Sequence, residues 1–365
     1  MKLSHVMEEL VEERGLDRTV LSAIVCEGLQ VVYSKKYPDV SFLVEYDKKA
    51  DEIRILANKL VVGSVANEFQ EVSLRKARGL QEGVQIGDTI KVPFEEPIGR
   101  IEILRAKQII AQQIRTIEAE AIYKEFKPKE GTIVVGTIYK TEMHGVSVKV
   151  EDTLAFLPKS LMNPGDVCTS GYTMRFMLKE VLAEPRNDNQ LILDRKSPEF
   201  LAGLFRLEIP EVYENIVEIK KIVRIAGYKS KILVSSHEKN VDPVGTCIGF
   251  GGARIKPILR ELGTEKVDII NADYSTEDLI KNALKPAVVR RVLLVGDKMA
   301  EVWLDADQRS IAIGKMGQNV SLAAELCGVE IQLMDDASPQ AVLSNVISQE
   351  EGQKKLAAEN DNGGE

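Results

Sequence analysis

Two four-residue glycine loops, Gly249-Phe250-Gly251-Gly252 and Gly314-Lys315-Met316-Gly317, begin 65 positions apart and stand at the same point of the same run of elements. Around the first, apolar periodicity predicts a helix over 211–215, strands over 217–225 and 231–236, a helix over 243–248, the loop, a helix over 254–262 and a strand over 267–271. Around the second it predicts a helix over 276–284, strands over 288–295 and 300–304, a helix over 308–313, the loop, a helix over 319–327 and a strand over 330–334. Both units read α-β-β-α-α-β. A repeated unit constrains the fold more tightly than any single motif, because each copy must bury its apolar face in a similar way.

Such a loop has a physical task. Glycine lacks Cβ, so a nucleic-acid backbone can approach closely, and positive φ costs little there. The loop also opens the next helix, where free N–H groups and the helix dipole favour a phosphate. This is the KH arrangement, in which the loop clamps roughly four nucleotides of a single strand. One Gly-x-x-Gly reads equally well as a tight turn between packed helices; two at matching positions favour the binding role. In the second loop Lys315 supplies charge beside Met316, and Gln318 and Asn319 follow as hydrogen-bonding groups. In the first, Phe250 and Gly251 carry no charge, and Arg254 and Lys256 follow on the helix as substitutes. Phe250 either stacks on a base or packs inward. Carboxylates placed at Gly314 and Gly317 are expected to weaken RNA binding and to leave the fold intact. A nucleotide-hydrolysing P-loop is excluded, because it needs Gly where Arg309 stands and Ser or Thr where Met316 stands.

Ahead of the repeat, strand patterns over 132–139, 146–150, 153–157, 173–182 and 190–194, punctuated by Gly, Pro and Asn/Asp, predict a small OB-type barrel. Tyr139, His144 and Phe156 are its candidates for base stacking on an open strand face; the alternative is core or ordinary surface. Helical spacing covers 3–37, with Val6, Leu10 and Val11 on one face and Asp17 as the N-cap of a second helix. Strands follow over 42–46 and 53–56, around the turn Asp47-Lys48-Lys49-Ala50, and over 89–92. A connecting helix free of Gly and Pro spans 104–126 and ends before Pro128. The expected fold class is α+β multidomain: an α/β N-terminal domain with its connecting helix over 1–126, an S1 barrel of OB type over 127–198, and two tandem type II KH domains over 199–274 and 275–342. An apolar stretch beyond Pro339 leads into an acidic tail, 343–365, expected to be disordered.

The chain carries a net charge of −8, and the barrel segment holds 10 Lys/Arg against 9 Asp/Glu. Any RNA binding must therefore rest on placed amides and side chains, not on a broad positive field. No apolar run reaches the length of a membrane span and the N-terminus has no secretory pattern, so a cytoplasmic protein with no membrane partner is expected. Cys26, Cys168, Cys247 and Cys327 form no C-x-x-C pair, and His5, His144 and His237 are scattered. Neither a metal nor another cofactor is expected. The pairs Glu95-Glu96, Glu151-Asp152 and Asp335-Asp336 read as solvated surface and Trp303 as core, so no catalytic group emerges and the chain is not expected to be an enzyme.

Several stretches carry a family resemblance: Asp194-Arg195-Lys196-Ser197-Pro198-Glu199-Phe200-Leu201, Leu204-Phe205-Arg206-Leu207-Glu208-Ile209-Pro210-Glu211, Asp242-Pro243-Val244-Gly245-Thr246-Cys247-Ile248-Gly249, Ala312-Ile313-Gly314-Lys315-Met316-Gly317-Gln318-Asn319-Val320, and Ala106-Lys107-Gln108-Ile109-Ile110-Ala111-Gln112-Gln113-Ile114-Arg115. With the order helix-rich N-terminal domain, S1, KH, KH, these residues resemble the NusA family of bacterial transcription factors over roughly 1–340. The resemblance implies an N-terminal domain docked on RNA polymerase near the RNA exit channel, S1 and KH domains along single-stranded nascent RNA, and a monomer that works with other Nus antitermination factors. It implies roles in pausing, hairpin formation, intrinsic termination and antitermination. The first loop lacks the basic residue usual in that family, so a weaker phosphate grip is expected there. The acidic helical repeats that some members add are not seen, so regulation by them is not expected. The alternatives are an S1/KH-containing RNA-processing enzyme, whose usual order places a large catalytic core first, and a ribosome-associated RNA binder.

Overall fold

The computed structural model describes residues 17–335 except 48, 49, 51, 97, 98, 187, 188 and 297. The helix expected around Val6, Leu10 and Val11, His5, the turn centre Lys48-Lys49, Pro97, Asp336 and the tail beyond it lie outside the described residues. No helix among the described residues is long and apolar enough to cross a membrane. The chain divides between Lys124 and Glu125 into two units.

In the first unit, helix α1 (Arg18–Lys36) is capped as its sequence suggests: Asp17 Oδ1 accepts from Thr19 N–H at 2.7 Å, satisfying a donor that the helix leaves unpaired. Its apolar face buries Leu21, Ile24, Val25 and Val32. Strands β1 (Ser41–Asp47) and β2 (Glu52–Val62) pair antiparallel, Phe42 opposite Ala57. Two elements were not expected: β3 (Glu71–Ser73), parallel to β2, and helix α2 (Leu74–Leu80). Three residues are too few to show a strand period, and α2 buries only Ala77. Strand β4 (Thr89–Pro93) closes the sheet on the other side of β2. Tyr33, Phe42 and Phe94 meet tilted and edge-on, with centroids 5.0–5.8 Å apart, the geometry that aromatic quadrupoles favour. Helix α3 (Arg100–Phe126) starts earlier than expected and has 27 residues, about 40 Å at 1.5 Å per residue.

The second unit begins with a closed barrel in the order β5-β6-β7-β9-β8: β5 (Ile133–Glu142), β6 (Gly145–Val150), β7 (Thr153–Pro158), β8 (Thr173–Arg186) and β9 (Asn189–Asp194). Alternate residues such as Val146, Val148, Ala155, Leu157 and Leu191 fill the interior, as the two-residue period of a strand requires.

The repeat follows. Its first copy has helices α4 (Pro198–Glu208) and α5 (Pro210–Tyr213), strands β10 (Val217–Ile225) and β11 (Lys229–Ser236), helices α6 (Pro243–Ile248) and α7 (Ile255–Leu262), and strand β12 (Lys266–Asn271). The opening helical segment is longer than expected because Ser197 caps α4, its Oγ accepting from Phe200 N–H, with Pro198 at the first position. The second copy has helix α8 (Thr276–Ala283), strands β13 (Val289–Val295) and β14 (Met299–Leu304), helices α9 (Ala306–Ile313) and α10 (Gln318–Cys327), and strand β15 (Glu330–Asp335). In each copy the central strand pairs antiparallel with the first and parallel with the last.

The layers stack in chain order. Helix α4 packs on the barrel through a core that joins Phe200, Leu201 and Leu204 to Met177 and Ile133. Arg195, at 1% exposure, locks that joint. Its guanidinium donates to Asp166 (2.7 and 3.0 Å), to Glu261 Oε1 (2.5 Å) and to the Arg175 carbonyl, between the rings of Phe176 and Phe200. Burial opposes its charge, but the Asp166 and Glu261 carboxylates outweigh burial and hold its pKa above the ordinary arginine value. One face of the β10-β11-β12 sheet packs on its own helices; the other, through Val223, Leu233 and Ile270, shares a core with Ile280, Ala283 and Leu284 of α8 and Leu322, Ala323 and Leu326 of α10. The expectation that Trp303 is core is corrected. It is half-buried on β14, with the Arg291 guanidinium 5.4 Å from its ring centre.

Candidate nucleic-acid interface

The two glycine loops share one backbone. Gly249 has φ 73° and ψ 166°, and Gly314 has φ 73° and ψ −177°. Gly251 has φ 58° and ψ 20°, and Met316, its counterpart, has φ 53° and ψ 28°. Gly252 and Gly317 follow at φ 77° and 75°. The first loop meets these angles with three glycines. The second holds a methionine in the left-handed region, which costs a non-glycine residue roughly 1–2 kcal/mol.

The leading glycine is required by closeness as well as by φ. A Cβ on Gly249 would lie 2.9 Å from Arg254 Cγ and 3.1 Å from Arg254 N; one on Gly314 would lie 2.7 Å from Asn319 Cβ and 3.2 Å from its N. Without Cβ, the following helix starts directly beneath the loop. This corrects the expectation that carboxylates at Gly314 and Gly317 would leave the fold intact: at Gly314 they collide with α10, whereas a Cβ on Gly317 has nothing within 4 Å.

The turn bonds run from Gly252 N–H to Gly249 O and from Ala253 N–H to Phe250 O, and in the second loop from Gly317 N–H to Gly314 O. None of them uses the amides of Phe250, Gly251, Lys315 or Met316. Phe250 is 101% exposed and Met316 is 87% exposed. Phe250 does not pack inward, which settles the alternative left open by its sequence. Lys315 is exposed beside Met316, Gln318 is half-buried at the start of α10, and Lys256 lies exposed along Gly252, its Cε 3.5 Å from where a Cβ would stand.

Two proposed contacts have other work. Asn319 is 3% exposed. Its Nδ2 donates to Leu284 O and Ala312 O at 3.2 and 3.1 Å, and its Oδ1 accepts from Lys229 Nζ at 3.1 Å. Every polar atom of that amide is used, so Asn319 fastens α9, α10 and the first KH sheet beneath the loop and does not reach for a base. Arg254 occupies the same place under the first loop, five residues after the leading glycine. It donates to Thr246 O at 2.9 Å and Glu211 Oε1 at 2.8 Å. Beside Asn319, Lys229 and Lys231 share Asp268, each at 2.8 Å. Burial draws the Lys231 ammonium below its usual pKa although Asp268 opposes it. The thiol of Cys247, one residue before Ile248 at the end of α6, is buried and pushed up to about 12, which keeps it neutral and unreactive.

On the barrel, Tyr139 sits at a bulge of β5, between Ile138 and Lys140, and is 61% exposed. His144 is exposed in the turn before β6. Phe156 is half-buried, its ring lying across Gly145, where Cζ would stand 2.6 Å from a Cβ. Lys140 pairs with Ser147 and Ser147 with Phe156, so Tyr139 and Phe156 lie about two strand spacings, roughly 10 Å, apart. Exposed Met143 and Tyr172 belong to the same surface region: Ile138 N–H donates to Tyr172 O. Tyr172, an aromatic next to Gly171 ahead of a strand, was a readable signal that the sequence reading passed over.

Similarity to known proteins follows the same division. The NusA N-terminal domain pattern matches residues 2–120, the NusA-like first KH domain pattern matches 195–272, and the NusA-like second KH domain pattern matches 276–341. The transcription termination/antitermination protein NusA of Thermus thermophilus is 35% identical over 341 residues, covering 89% of this chain and 87% of that protein. The Bacillus subtilis protein of the same name is 31% identical over 330 residues, covering 90% and 89%. Two glycine loops of one backbone, borne on tandem KH sheets behind a barrel, therefore have their relatives in a single lineage, and the chain belongs to the NusA family.

Proposed function

We propose that this chain is a non-catalytic transcription elongation factor that binds RNA polymerase and nascent single-stranded RNA, and that it modulates pausing, intrinsic termination and, with other Nus factors, antitermination in the cytoplasm. In this reading residues 1–126 dock on the polymerase, and the barrel (127–198) and the two KH domains (199–274 and 275–342) form a row for the transcript. The main support is the shared loop backbone, which leaves the amides of Phe250, Gly251, Lys315 and Met316 outside the turn bonds at exposed sites. Tyr139, His144 and Phe156 add stacking surfaces on the barrel. Three modules in series raise one another's effective concentration, so each can be weak alone, which suits a chain of net charge −8.

A pausing assay with purified bacterial polymerase tests the reading. Lengthened pauses at hairpin sites support it; unchanged pausing with no binding to polymerase rejects it. Incubation with labelled single-stranded RNA and phosphate separates the enzymatic alternative, since shortening of the RNA would establish phosphorolysis. Co-purification with ribosomes and not with polymerase would favour the ribosome-associated alternative.

A further inference from the structure

The two KH sheets are built alike but finished differently. Strand β11, central in its sheet, is buried on both faces from Lys229 to Ser235. Strand β14, in the same position, alternates: Ala300, Val302 and Leu304 are buried, while Met299, Glu301 and Trp303 are not. The difference lies on the outer face. On the first sheet that face carries Val223, Leu233 and Ile270, covered by α8 and α10. On the second sheet the register places Leu293, Val295, Met299, Trp303 and Met334 there, and Leu293, Val295 and Met299 are 36–39% exposed. An apolar sheet face of this kind calls for a cover.

The chain continues from the edge of this very sheet. After β12, Ser275 caps α8, accepting from Asp278 N–H, and the helix presents Leu279, Ile280, Ala283 and Leu284 to the first sheet's outer face. Sixty-three positions later the sequence reads Ser338-Pro339-Gln340-Ala341-Val342-Leu343-Ser344-Asn345-Val346-Ile347. Ser338 falls at the cap, and Val342, Leu343, Val346 and Ile347 fall at the four apolar places. Ser-Pro is also how α4 begins, at Ser197-Pro198. We propose that residues 338–347 form a helix that covers the outer face of the second KH sheet, as α8 covers that of the first. This takes 343–347 out of the tail expected to be disordered and makes the segment the cap of the stacked layers.

Trp303 is the chain's single tryptophan and reports on the face directly. In the full chain, Val342→Asp with Val346→Asp is expected to move its emission to longer wavelength and raise its quenching by acrylamide, as is deletion of 336–365. Removal of 349–365 alone should leave both unchanged. Equal emission and quenching in the full chain, the double variant and the deletion would overturn the proposal. So would shielding that fades on dilution, which would give the face to a second copy, or a full effect from losing 349–365.

Discussion

The first and second glycine loops differ in side chains and agree in backbone, and that separates what the turn itself supplies from what its residues add. Gly251 and Met316 adopt nearly the same left-handed angles, so the geometry that frees the flanking amides is set by the helix pair and not by the loop's composition. What differs is charge and footing. The second loop carries Lys315 and stands on a fully bonded, buried amide, Asn319. The first carries an exposed aromatic, Phe250, and stands on a half-buried arginine paired with Glu211. The second loop is thus the electrostatic clamp, and the first is a turn with a stacking ring.

The footing should show the largest contrast. Asn319→Ala strips Leu284 O, Ala312 O and Lys229 of a partner and is expected to cost about 3 kcal/mol, since each buried group left unpaired costs roughly 1–3 kcal/mol. Arg254→Ala, whose ion pair is partly solvated, should cost nearer 1 kcal/mol. Thermal unfolding of both variants compares them; equal losses would erase the distinction. The next effect lies in the clamp. Lys315→Asp with Met316→Asp should weaken single-stranded RNA binding at low salt about tenfold, or about 1.4 kcal/mol, and Phe250→Asp with Gly251→Asp should weaken it less. Both pairs are exposed, so circular dichroism should not change. A milder change sharpens the point: Phe250→Lys with Gly251→Met rebuilds the second loop on the first and should steepen the dependence of log affinity on log salt by about 0.7 for one more phosphate contact. A slope that stays put would mean that the first loop does not touch phosphate. Met316→Gly should be smallest, because relief of the left-handed angle is offset by a freer unfolded chain, leaving a net change of about 0.5 kcal/mol or less.

Much of this architecture was legible because it is periodic. The order of the repeat, the five barrel strands and Asp17 as a cap all leave spacing signals, and they appear within a few residues of where they were expected. The exceptions are short or nonlocal. Strand β3 has three residues and no period to read. Asn319 looks like a base-reading side chain in sequence, because an amide that will be buried against Lys229, 90 positions away, has the same letters as one in water. Arg195 was noted only within a family motif; its partners Asp166 and Glu261 are 29 and 66 positions distant, and no local pattern announces them. Polar residues that fasten modules together are invisible to periodicity for this reason.

Amide resonances of the isotope-labelled chain, followed during titration with a short single-stranded RNA, probe the loops most directly. Phe250, Gly251, Lys315 and Met316 are expected to move as phosphate oxygens take their N–H groups, while the side-chain amide of Asn319 stays fixed. Loop amides that remain in place while RNA binds with measurable affinity would contradict the assignment of these turns as the points where the transcript is held.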